Sequence, residues 1–155
     1  MSSRARPRSS QFSDEPRAEA PAPPVDLSAF EVAMTPLMKR LQGEWAAVEL
    51  VRDGQKTQDD WLPYGSRTTE GNETKVVFGG QTMLHAKMRI DERAEPMTVD
   101  YLNLAGAGKG RVSLGILKWD GDEVTYHVAP AGKPRPSDFE SAKGSGTTLS
   151  RWRRK

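Results

Sequence analysis

Gly115 to Val128 reads Gly-Ile-Leu-Lys-Trp-Asp-Gly-Asp-Glu-Val-Thr-Tyr-His-Val, and its pattern decides how the rest of the chain is read. Two apolar-rich runs flank Asp120-Gly121-Asp122. Asp-Gly between alternating runs is a strong hairpin signal, because glycine takes positive φ without a Cβ clash. Leu117 and Trp119 share one face, as do Val124, Tyr126 and Val128, while Lys118, Thr125 and His127 point the other way. The stretch is an antiparallel, half-buried hairpin.

Working outward, the same grammar repeats. Thr82 to Ile90 places Leu84, Ala86, Met88 and Ile90 opposite Met83, His85, Lys87 and Arg89. Gly43-Glu44-Trp45 opens a strand that runs to Val51 and turns at Asp53-Gly54. Arg67–Glu70, Thr74–Phe78, Met97–Leu104 and Thr147–Arg153 read as further strands, and Thr57–Tyr64 as a helical turn that tucks Trp61 and Leu62 inward. The expectation is an all-β domain over 43–155, an antiparallel up-and-down barrel of seven or eight strands. Closing the meander removes its exposed edges. Barrels of this size are about wide enough to hold one small ligand.

Upstream the pattern changes. Residues 25–42 space Leu27, Phe30 and Met34 helically, and Thr35-Pro36 is a cap followed by a favoured first helical residue, so one broken helix or two short ones are expected. Residues 1–24 are rich in Ser, Arg, Ala and Pro, with Phe12 as the single large apolar anchor, and read as a disordered tail.

Composition narrows the function classes. The 155 residues contain no cysteine, which excludes disulfides, thiolate metal sites and a cysteine nucleophile. A formal net charge of +2 argues against bulk attraction to nucleic acid. No apolar run approaches the ~20 residues of a membrane-spanning helix. The arginines near the N-terminus are followed by no apolar run, unlike a secretory signal. A cytoplasmic location is expected.

Leu41-Gln42-Gly43-Glu44-Trp45, Gly115-Ile116, Asp120-Gly121-Asp122, Ala129-Pro130, Arg135-Pro136-Ser137-Asp138-Phe139 and Gly144-Ser145-Gly146, followed by a basic C-terminus, occur in that order. Together they resemble an uncharacterised bacterial domain family best known from planctomycete proteins. Gly43-x-Trp45 after a helical turn also looks like the opening signature of lipocalin-type (calycin) barrels. The resemblance implies a lipocalin-like barrel in which Trp45 closes one end and Arg151 or Arg153 of the last strand packs across its ring. It implies no activity.

Several chemical sets fail on inspection. His85 and His127 lie on the faces opposite the apolar sets, without metal-ligand spacing, and read as strand surface. Gly106, Gly108 and Gly110 lack the Gly-Lys-Ser/Thr ending and the following helix of a phosphate loop. No serine stands in a nucleophile-elbow context. No catalytic residues, metal or cofactor are assigned. Arg135, Asp138 and Phe139 are read as a lid loop, with Phe139 plugging a barrel end and Arg135 pairing with Asp138 or facing an anionic ligand.

Two functions remain. The first is a binding module whose barrel holds a small apolar or amphipathic ligand, lined by Val77, Leu84, Met88, Tyr101, Leu117, Trp119 and Tyr126. The alternative is a solid barrel that recruits a protein partner through residues 1–42. Whether Phe30, Met34, Leu37 and Met38 are needed to cover the barrel separates the two.

Overall fold

The computed structural model describes residues 27–155, and the tail expected over 1–24 lies outside the described residues. A 3-10 turn (Leu27–Phe30) and one helix, α1 (Pro36–Arg40), precede the strands. Thr35 caps α1, its Oγ1 accepting from the Met38 amide at 3.2 Å. The helical segment is therefore two short pieces, one of the two forms expected.

The strands are β1 (Gly43–Arg52), β2 (Gln55–Lys56), β3 (Gly65–Glu70), β4 (Glu73–Phe78), β5 (Gln81–Asp91), β6 (Met97–Asn103), β7 (Val112–Asp120), β8 (Glu123–Val128) and β9 (Thr148–Arg154). Apart from β2, which pairs with β1 alone, each strand lies beside its sequence neighbour, antiparallel throughout. β9 then pairs back onto β1, from Thr148 opposite Arg52 to Arg154 opposite Trp45. Eight strands thus close an up-and-down barrel, and β2 is a short extension at one rim. The Asp120-Gly121-Asp122 turn forms as read, with Asp120 opposite Glu123 and Gly121 at φ 67°.

One barrel end is packed solid. Leu41, Trp45, Ala86, Met88, Val99, Leu117 and Val124 form a fully buried cluster there. Trp45 donates its indole N–H to the Leu41 carbonyl at 3.0 Å and meets Trp119 at 5.9 Å between ring centroids. Arg40 lies over Trp119 at 3.7 Å, and Arg154 over Trp45 at 4.2 Å. The arginine across Trp45 is thus Arg154, in place of Arg151 or Arg153. Register explains the change: Arg154 is directly opposite Trp45 and shares the inward parity of Ser150 and Trp152. Arg151 and Arg153 face outward and pair with Glu49 and Glu123.

The N-terminal pieces are spent on this end. Phe30, Met38 and Leu41 are buried, whereas Met34 stays exposed. Apolar residues that cover the barrel are not available to a partner chain.

The connection from β8 to β9 corrects three further expectations. Alternation puts Thr125 and His127 on the outer face, yet both are buried. The connection folds across that face: His127 Nδ1 meets the Asp138 carbonyl, and Nε2 meets Thr147 Oγ1 at 2.8 Å. Phe139 does not plug a barrel end. It lies on the outer wall beneath Lys118, whose ammonium sits 4.7 Å from the ring centroid. Arg135 pairs with Asp100 at 2.8 Å and donates to the Gly115 carbonyl at 2.8 Å, pinning the connection to β6 and β7. Asp138 instead accepts from the Glu140 amide at 3.2 Å.

Candidate functional site: a cavity in the open half of the barrel

Above the packed end the inward side chains stop meeting, and a cavity of about 630 Å³ opens to solvent. That lies within the ~300–1,000 Å³ usual for small-molecule sites. Its wall is mainly apolar, with Leu50, Val76, Phe78, Leu84, Tyr126, Val128 and Trp152 contributed by five strands. Each side chain arrives by strand alternation. Leu84 is opposite Val76, Tyr101 opposite Ser113, and Ser150 opposite both Leu50 and Tyr126.

The rim combines loops from several turns. Ala105 to Gly108 between β6 and β7, Pro130 and Ala131 after β8, and Gly146 before β9 all border it. Trp61 and Met83 stand at the edge and are exposed, Trp61 to 58%. Trp61 therefore does not tuck inward as read. Leu62 beside it is buried, and Trp61 meets the exposed Tyr64 ring at 5.9 Å.

Of the seven residues expected to line a ligand space, Leu84, Tyr101 and Tyr126 border the cavity. Met88 and Leu117 do face inward, but into the packed end, where they are fully buried. Trp119 packs at the same end against Trp45. Val77 is set opposite Ser66, one residue out of phase with the inward pair Val76 and Phe78. The barrel is thus neither wholly hollow nor wholly solid.

At the cavity floor lies a residue the sequence reading passed over. Arg67 projects inward from β3, opposite Trp45 on β1 and Val76 on β4, and is only 2% exposed. Its Nη1 donates to Thr74 Oγ1 at 3.0 Å and to the Tyr101 hydroxyl at 3.3 Å. Thr74 Oγ1 in turn meets Thr69 Oγ1 at 3.0 Å. The guanidinium sits 3.9 Å over the Tyr126 ring and 5.1 Å from that of Trp152. Burial pushes the Tyr126 phenol well above its ordinary pKa, the Arg67 charge opposing that shift, so Tyr126 is neutral at physiological pH. β3 reads Gly-Ser-Arg-Thr-Thr-Glu, with no large apolar residue to mark its inner face. The signal that could have found Arg67 is the pairing itself. Once Thr69 is matched to Thr74, residue 67 must share their face.

The two histidines do not meet. His85 pairs with Glu73 at 2.7 Å on the outer surface, and His127 is buried beneath the β8–β9 connection. Among the described residues no group of three or more His, Asp or Glu side chains converges to hold a metal ion. No helix among them is long and apolar enough to cross a membrane. Comparison of the chain with protein-family models, curated proteins and solved structures finds no match.

Proposed function

We propose that the protein is a binding module that holds a small amphipathic molecule in the open half of its barrel. The observation that supports this reading most is the division of the interior. The packed end already supplies a buried core, so the remaining inward side chains are free to surround another molecule. A concave, largely apolar wall with a few convergent polar groups is the usual form of a small-molecule site. The lipocalin-like resemblance of Gly43-x-Trp45, with Arg154 across the tryptophan ring, agrees with a cup-shaped carrier of this kind.

Native mass spectrometry of the full chain tests the reading, before and after incubation with an organic extract of the producing cells. A reproducible added mass that disappears on denaturation is expected. A bare mass under both conditions refutes it.

A further inference from the structure

We propose that Arg67 is an anion subsite and that the molecule held by the barrel is a monocarboxylate with an apolar tail. This rests on the reading of the cavity as a ligand site and specifies its ligand class. Arg67 is buried, borders the cavity, and forms no ion pair with any described residue. Its Nε is fully enclosed and has no hydrogen-bond partner among the described residues. A buried cation without a counter-charge is costly, and a partner anion removes that cost.

The surroundings fit an anion. The cavity is lined by Arg52 and Arg67 and by no Asp or Glu. Ser150 accepts from the Trp152 indole at 2.9 Å and Tyr101 accepts from Arg67, which leaves each hydroxyl its own hydrogen to donate.

Charge and shape select among anions. Arg67 carries one positive charge, which a carboxylate matches; with Nη1 given to Thr74 and Tyr101 and Nε enclosed, Nη2 is the group left to meet it. A phosphate monoester, with nearly two charges, would leave uncompensated negative charge at the floor. From the floor to the rim the wall offers Phe78, Leu84 and Val128, which suits an unbranched or aromatic tail.

The test is calorimetric titration of the full chain with decanoate, 1-decanol and decyl phosphate at neutral pH. Decanoate is expected to bind about tenfold or more tightly than decanol, and more tightly than decyl phosphate. Arg67→Met is expected to remove the preference for decanoate over decanol while leaving decanol binding in place. Arg67→Lys keeps the charge but loses the fork, and retains part of the preference. Equal affinity for decanoate and decanol in the unmodified protein overturns the anion subsite and leaves the ligand-binding reading standing. That comparison needs no variant, so it decides even where Arg67→Met fails to fold. A preference retained by folded Arg67→Met also overturns the assignment, as does tighter binding of decyl phosphate. Binding of none of the three overturns the proposed ligand class, while an added mass from cell extract would still uphold the barrel as a binding module.

Discussion

Truncating two inward side chains of one strand distinguishes a half-packed barrel from a uniform one. Met88 and Leu84 both project inward from β5, and they sit four residues apart. Met88 is fully buried in the packed end, whereas Leu84 is partly exposed on the cavity wall. Met88→Ala removes contacts on every side and leaves a void, which costs about 2–5 kcal/mol. Leu84→Ala enlarges a space that already exists, so no new void is created. The loss is then about half the burial free energy of a leucine, about 1 kcal/mol. For a chain of this size each kcal/mol lowers the melting temperature by roughly 2–4 °C. Met88→Ala should therefore melt about 4–20 °C lower and Leu84→Ala about 2–4 °C lower. Urea denaturation with both variants checks the free energies directly, and an unchanged m-value confirms that the denatured state is comparable. Equal losses, within ~0.5 kcal/mol, would refute the division of the interior and with it the structural basis for a ligand.

The closed end, the strand spacing and the outer wall give three further expectations. Arg154→Met should cost about 1–2 kcal/mol in urea, through the lost cation–π contact with Trp45 and the lost bonds to the Gln42 and Arg40 carbonyls. Arg153→Met, at an exposed ion pair, should stay within about 0.5 kcal/mol, and equal costs would refute the assignment of Arg154 as the closing residue. Gly115→Ala places a Cβ 2.6 Å from Val128 Cγ2 and 2.8 Å from the His127 carbonyl oxygen, so β7 and β8 must part. A loss of about 1–3 kcal/mol in thermal melts is expected, and an unchanged melt would contradict the register. The Arg151 hydrogen bond holds the Glu123 carboxyl below the ordinary carboxylate range, burial opposing it and Arg153 adding to it. A carboxyl lowered in the folded state stabilises above its unfolded value of about 4.3, and that contribution fades as pH falls through the folded value. The stability gap between the unmodified protein and Glu123→Gln should therefore be widest near neutrality and shrink on acidification below about pH 4. A gap independent of pH would refute the ion-pair account.

Most of the strand order was legible because local rules and the global fold agree. Many turns carry their own chemistry, as at Asp53-Gly54, Gly79-Gly80 and Asp120-Gly121, and most consecutive antiparallel strands, β8 and β9 apart, have only short connections to make. The cavity was legible in part. Leu84, Tyr101 and Tyr126 follow from alternation, since face depends on parity alone. Depth along the barrel does not. Met88 and Leu117 share the parity of the cavity residues and differ only in being nearer the closed end.

Where long-range contacts decide, the chain alone is silent. Outward parity suggested a wet His127, and the β8–β9 connection buries it. Arg135 found Asp100, at a sequence distance no local rule covers. The closing arginine depends on the β9–β1 register, which includes an irregularity between Arg151 and Trp152 that sequence patterns do not mark.

The sequence by itself determined an antiparallel meander, its turns, and which side chains share a face, because those follow from residue-by-residue φ preference and a period of two. The sequence also called for closure into a barrel; only the tertiary structure decided the register in which β9 meets β1, that one half is packed and the other open, and that Arg67 lies at the boundary. Those outcomes depend on how far side chains from opposite walls reach toward one another, a distance fixed by closure and not by any single strand.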